Sequence, residues 1–224
     1  MKKPLVVPRD KSAALYIDLQ EEHRQDPRYL VEGFESILAN ARKLQQAARR
    51  NGIPNVHFAY VVDMAQARPF HPVMEDGRSA FSDKDDPLTA ICAEVAPQGD
   101  ELLIVKSEAS AFGTGLGDEL TARGIAWLFI AGVWTEACVD ATVKAAAVRG
   151  FHVLLVKDAC GSGTAAMHQT GILNLANRLY GGAVVTTDAA CRLMAGEAVE
   201  GWRVEGSVPI RYEAETIEAL YEAL

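Results

Sequence analysis

Cys138 lies in the segment IAWLFIAGVWTEACVDATV, Ile125–Val143. The apolar run Ala126–Ala131 carries no helical stripe and ends at Gly132, the pattern of a buried strand. Thr135-Glu136 follows, then Cys138, then Val139, Val143, Ala146 and Ala147 at helical spacing. Thr135 is the expected helix N-cap. This predicts Cys138 in the first turn of a helix, at the C-terminal end of a parallel strand. Ligands of open α/β sheets bind at that edge. Free backbone N–H groups and the helix dipole there favour a thiolate.

Two further strands end on reactive side chains. Ala13–Leu19 finishes at Asp18-Leu19, and Leu102–Lys106 finishes at Lys106. Adjacent strands are about 5 Å apart, so long side chains at neighbouring ends can meet. A carboxylate, an ammonium and a thiol together suggest nucleophilic catalysis. Cys138 would attack a carbonyl carbon. Asp18 would take the thiol proton and deliver it to the leaving nitrogen. Lys106 would hold Asp18 ionised and favour the thiolate.

Positioning these groups requires a parallel sheet. Strands are expected at Ala13–Leu19, Asn55–Val62, Leu102–Lys106, Ala126–Ala131, His152–Val156 and Ala183–Thr186. Helices are expected at Phe34–Arg50, Gly115–Arg123, after Cys138, at Ala165–Tyr180 and at Glu213–Ala223. Repeated β-α alternation implies an α/β fold, a three-layer α-β-α arrangement around a mostly parallel six-stranded sheet. The long irregular stretch Asp63–Gln98 suggests a functional loop. No repeat or linker divides the chain, so residues 1–224 are expected to form a single domain.

Composition narrows the function. The chain is 49% hydrophobic with a net charge of -8, which disfavours nucleic-acid binding because phosphate neutralisation needs a basic face. The cysteines Cys92, Cys138, Cys160 and Cys191 form no Cys-x-x-Cys pair, which suits a reducing compartment. The start, MKKPLVVPRDK, lacks the apolar core of a signal peptide, and no apolar run approaches a membrane span. A cytoplasmic protein with no membrane partner is expected.

DLQ at Asp18–Gln20, VKSEASAFGTGL from Val105 and AGVWTEACVDAT around Cys138 resemble the isochorismatase-like cysteine hydrolases. VKDACGSG and AVVTTDAA fit the same pattern, so the resemblance runs from about Ala13 to about Leu193. It implies a Rossmann-like sheet and a catalytic triad of Asp18, Lys106 and Cys138. It implies a cis peptide at Val133–Trp134, with the N–H groups of Trp134 and Cys138 as the oxyanion hole. Members with the cysteine cleave small amides and ureides, through a thioester and without a cofactor. Isochorismate-cleaving members typically lack it. Family members are commonly dimers or tetramers, so a homodimer or homotetramer is expected. Nicotinamidases of the family carry Asp-x-His after the second strand. This chain has Asp63-Met64-Ala65 there, and no metal is expected.

The substrate side is less specified. His23 and His71 follow strand ends, and Phe70, Phe81 and Phe112 lie in loops near the same edge. His23, Phe70, His71, Phe112 and Trp134 are the candidate substrate contacts. Glu21-Glu22-His23 replaces an aromatic that the family often carries, and Trp134 is bulky where many members have a small residue. The other cysteines read as small core residues. His57, His152 and His168 read as structural. Gly161-Ser-Gly163-Thr-Ala-Ala166 matches a dinucleotide fingerprint only formally, too late in the chain to open the first βαβ unit. Two readings compete with amide hydrolysis: ether or ester hydrolysis with Asp18 as the acid, and a reactive-cysteine protein without turnover.

Overall fold

A computed structural model describes residues 1–206 and 208–224. Its sheet has eight strands in the order β1-β8-β7-β6-β5-β2-β3-β4. These are β1 (Lys2–Leu5), β2 (Ser12–Ile17), β3 (Asn55–Tyr60), β4 (Leu102–Lys106), β5 (Trp127–Val133), β6 (His152–Gly161), β7 (Ala183–Val185) and β8 (Val199–Trp202). The expected six strands are β2 to β7, and every pairing among them is parallel. The sheet count of six needs correction. β8 pairs antiparallel with β7, and β1 pairs antiparallel with β8. Neither short strand has the long apolar run of its neighbours, and Pro4 and Gly201 interrupt their patterns.

The helices are α1 (Glu22–Gln25), α2 (Phe34–Arg50), α3 (Leu116–Ala122), α4 (Asp140–Val148), α5 (Ala165–Ala176), α6 (Thr187–Met194) and α7 (Ile217–Ala223). In α2 the apolar stripe Phe34, Ile37, Leu38, Ala41, Leu44 and Ala48 is buried. The helix stops at Asn51, just before Gly52 at φ 67°. The residues of β2 divide between two cores. Ala14 and Tyr16 pack in the layer of α2 and α6, while Ala13, Leu15 and Ile17 pack in the layer of α4 and α5. A strand covered on both faces reads as a continuous apolar run, which is why β2 shows no alternation.

The strand order reverses direction between β5 and β2, the place where open α/β sheets leave a crevice. There β5 comes so close to β2 that a Cβ on Gly132 would lie 2.1 Å from the Ile17 carbonyl oxygen. Gly132 has φ 131°, and the β5–β6 register shifts at the same point. Among the described residues, no helix is long and apolar enough to cross a membrane.

Candidate active site

The two strands at the crevice deliver the first two groups. Asp18 follows β2 with φ 52°, a left-handed conformation that Asp tolerates better than most residues. Its carboxylate thereby turns off the strand end. Lys106 ends β4, two strands away, and its long stem passes β3, with Nζ 4.7 Å from the Tyr60 ring centre. Lys106 Nζ donates to Asp18 Oδ2 at 2.6 Å and to the Glu108 carbonyl at 3.2 Å. The two side chains are 1% and 4% exposed, so water barely screens the pair. Gln20 ties the strand ends together. Its Nε2 donates to the carbonyls of Tyr60 and Thr89, and its Oε1 accepts from the Tyr60 N–H.

Cys138 lies in a wide turn, Thr135–Val139, between β5 and α4. The Val139 N–H reaches back five residues to the Trp134 carbonyl, at 3.2 Å. The Val133–Trp134 peptide is cis. Thr135 is not the N-cap. Trp134 occupies that position, and the Thr135 hydroxyl donates to the Gly161 carbonyl instead.

The surroundings of Cys138 oppose the expected resting thiolate. Burial, then the neighbouring Asp18 charge, pushes the Cys138 thiol up to about 12, against an opposing pull from Lys106. Burial raises Asp18 too, again opposed by Lys106. Cys138 is half-buried, and desolvation beside a carboxylate favours the protonated thiol. Among the described residues, buried Asp18 Oδ1 has no hydrogen-bond partner. The same carboxylate that raises the thiol therefore has an acceptor free for its proton.

These groups face a cavity of about 390 Å³ that Asp18 and Cys138 help to line. Tyr29, Phe81 and Trp134 add aromatic surface to it, and Arg28 and Arg68 add positive charge. Arg28 is paired with Asp26 at 2.6 Å. Among the described residues, Arg68 has no carboxylate partner, and it is exposed. Glu22 is buried in the wall, its oxygens accepting from the Ser82 N–H at 2.9 Å and hydroxyl at 2.5 Å. Among the described residues, no group of three His, Cys, Asp or Glu side chains is placed to hold a metal ion. A larger cavity of about 560 Å³, around Arg49 and Glu101, lies at the opposite strand edge, away from Cys138.

Of the candidate substrate contacts, His23 and Trp134 line the cavity and touch each other, Trp134 Nε1 donating to His23 Nδ1 at 3.3 Å. Burial holds His23 neutral, down to about 4. The other three lie outside the lining. Phe70 is fully exposed. His71 binds Ser79 Oγ at 2.7 Å and packs behind Phe81 with the rings tilted. Phe112 is buried against Phe151 on the far side of the sheet end. Sequence reasoning missed Tyr60, Arg68 and Glu22. Tyr60 ends β3 and was within reach of the strand-end argument. Arg68 and Glu22 carry no local signal, because the fold of the long loop places Arg68 and brings Ser82 onto Glu22 in α1.

The family model described as an isochorismatase domain matches residues 12–189. N-carbamoylsarcosine amidase from an Arthrobacter species is 27% identical over 191 residues, covering 83% of this chain and 72% of that protein. Maleamate amidohydrolase from Pseudomonas putida is 32% identical over 123 residues, 54% of this chain and 55% of that protein. The crystal structure of a cysteine hydrolase from Pseudomonas syringae pv. phaseolicola 1448A superposes with a TM-score of 0.74 at 22% identity, covering 87% of this chain and 99% of that one. That last likeness is one of fold. The family match is broader, running from β2 into α6 and spanning Asp18, Lys106 and Cys138. The chain belongs to the isochorismatase family.

Proposed function

We propose that the protein hydrolyses a C–N bond in a small amide or ureide through a thioester on Cys138. The observation that carries this reading is the Asp18 carboxylate, with one oxygen held by Lys106 and, among the described residues, no hydrogen-bond partner on the other, lining the same cavity as Cys138. The amidase and amidohydrolase names of two relatives support the same reaction class.

The steps follow from the charge states. Cys138 Sγ attacks the substrate carbonyl as its proton passes to Asp18, so no free thiolate accumulates. The N–H groups of Trp134 and Cys138 receive the developing oxyanion, each worth roughly 3 kcal/mol. Asp18 protonates the leaving nitrogen, the C–N bond breaks, and the thioester remains. Asp18 then takes a proton from water as the water attacks the thioester. That proton returns to Sγ as the C–S bond breaks. Lys106 keeps Asp18 able to ionise within the apolar site. Arg68 provides a counter-charge at the mouth for a substrate carboxylate.

Ammonia release from a panel of small amides and ureides tests the reading, with Cys138→Ala as control. Release by the parent alone is expected. A silent panel, or equal release by Cys138→Ala, contradicts it.

A homodimer or homotetramer remains our proposal for assembly. The outer strand β4 leaves Leu103 48% and Val105 59% exposed, an apolar edge of the kind that a second chain covers. Sedimentation of the parent and of Leu103→Lys tests it; a monomeric parent contradicts it.

A further inference from the structure

The turn that carries Cys138 is tied to the C-terminal helix by a chain of side-chain hydrogen bonds whose direction is determined. Thr135 is fully buried, and its Oγ1 lies 3.0 Å from the Gly161 carbonyl and 2.8 Å from His168 Nδ1. A hydroxyl has one proton, and a carbonyl only accepts. Thr135 therefore donates to Gly161 and accepts from His168 Nδ1–H. His168 Nε2, 3.1 Å from the Tyr221 hydroxyl, is left as the acceptor for the Tyr221 proton. Burial keeps the ring neutral, down to about 4, in keeping with one protonated nitrogen. The groups facing the imidazole are the Thr135 and Tyr221 hydroxyls and the Lys157 main chain, with the Lys157 ammonium as the neighbouring charge.

Both ends of this chain are anchored. Tyr221 is in α7, its carbonyl accepts from Lys157 Nζ at 2.8 Å, and the same ammonium sits 4.5 Å from its ring centre. At the other end, Gly171 lets α5 close on the turn, since a Cβ there would lie 2.8 Å from Thr135 Cγ2. The next residue, Glu136, accepts from the Ser162 hydroxyl at 2.7 Å. Thr135 stands between Trp134, the proposed oxyanion donor, and Cys138. A shift of this residue moves both.

We propose that His168 and Tyr221 are positioning residues for the reaction, holding through Thr135 the turn that presents the Cys138 thiol and the Trp134 N–H. The proposal rests on the amide-hydrolase reading for its kinetic arm only. Neither residue lines the cavity, so their loss acts on the rate of the chemical step rather than on substrate affinity. Misplacement of a catalytic group by about 1 Å costs up to about 100-fold in rate.

The test compares Tyr221→Phe, His168→Leu and His168→Asn with the parent. Asn retains an N–H donor where His168 Nδ1 stands, whereas Leu retains none. Two readouts are taken below the melting temperature of every variant: kcat and KM on the best amide of the panel, and the rate of Cys138 alkylation by iodoacetamide. His168→Leu is expected to lose about 10- to 100-fold in kcat with KM within about twofold. His168→Asn is expected to recover most of that loss, and Tyr221→Phe to fall between. Alkylation rates are expected to change in the same order. Parent-like kcat and alkylation in Tyr221→Phe and His168→Leu overturn the proposal. So does an equal loss in His168→Leu and His168→Asn. Should His168→Leu not fold, Tyr221→Phe decides, because it keeps the ring and the main-chain anchor. Should no amide be turned over by the parent, the hydrolase reading fails, and the alkylation order alone decides for or against the positioning role.

Discussion

Lys106 Nζ holds Oδ2 of Asp18 at 2.6 Å, while Oδ1 of the same carboxylate has no hydrogen-bond partner among the described residues. In the proposed reaction one oxygen is fixed and the other moves a proton, which separates an electrostatic task from a proton-transfer task within a single side chain.

Removing Lys106 exposes that division. Lys106→Met leaves Asp18 buried without its counter-charge, at a cost of about 3–5 kcal/mol in stability, read by urea unfolding. Burial already raises Asp18 and Lys106 opposes the rise. Without the ammonium, Asp18 ionises only at higher pH, so the acid limb of the residual kcat/KM profile moves upward. An unmoved limb contradicts Asp18 as the base.

The charge of Asp18 also acts on the nucleophile. It contributes to pushing the Cys138 thiol up to about 12, second to burial. Asp18→Asn removes that charge, so the thiol titrates at lower pH even as turnover is lost by at least about 100-fold. Thiolate absorbance followed against pH checks this. A thiol that titrates at the same or higher pH in Asp18→Asn contradicts the coupling.

His23 makes the fold sensitive to acid. The ring is neutral in the folded chain down to about 4, against an ordinary value of 6.5. Between those values the unfolded chain binds the additional proton. Stability is thus full above about pH 6.5 and is lost as pH falls towards 4. Between pH 7 and 5 the loss is about 2 kcal/mol for this group. His23→Phe is expected to flatten the dependence of the urea midpoint on pH by that amount. A slope equal to the parent's contradicts the assignment.

Arg68 is the expected selector for charge. Arg68→Gln should raise KM about tenfold for a carboxylate-bearing amide, equivalent to about 1.4 kcal/mol. It should leave a neutral amide of similar size unchanged. Equal effects on both substrates show that Arg68 does not read the carboxylate.

The sequence was most legible where one local pattern decides the structure. The helix Phe34–Arg50 and the strand Leu102–Lys106 have their expected bounds, because an apolar stripe with a stop signal and a run of branched residues each act locally. Strand-end reasoning brought Asp18, Lys106 and Cys138 to one edge, since parallel strands share a direction. It overlooked what opposes the thiolate: desolvation first, and then the charge of Asp18, 120 residues away in the chain, neither of which is a local signal as the helix dipole is. α6 was missed although Thr186 caps it, its hydroxyl accepting from the Ala189 N–H. Phe70 and Phe112 were placed by nearness in sequence to strand ends. Their burial is set by the loop's path and by Phe151, which no spacing encodes.

The proposed reaction passes through a covalent bond between Cys138 and the acyl part of an amide. Rapid acid quench during turnover, followed by intact mass measurement and peptide mapping, tests it most directly. A mass increase equal to the acyl group, confined to the peptide carrying Cys138 and absent from Cys138→Ala, is the predicted result. Sustained ammonia release by Cys138→Ala, with no adduct on the parent, would contradict the account.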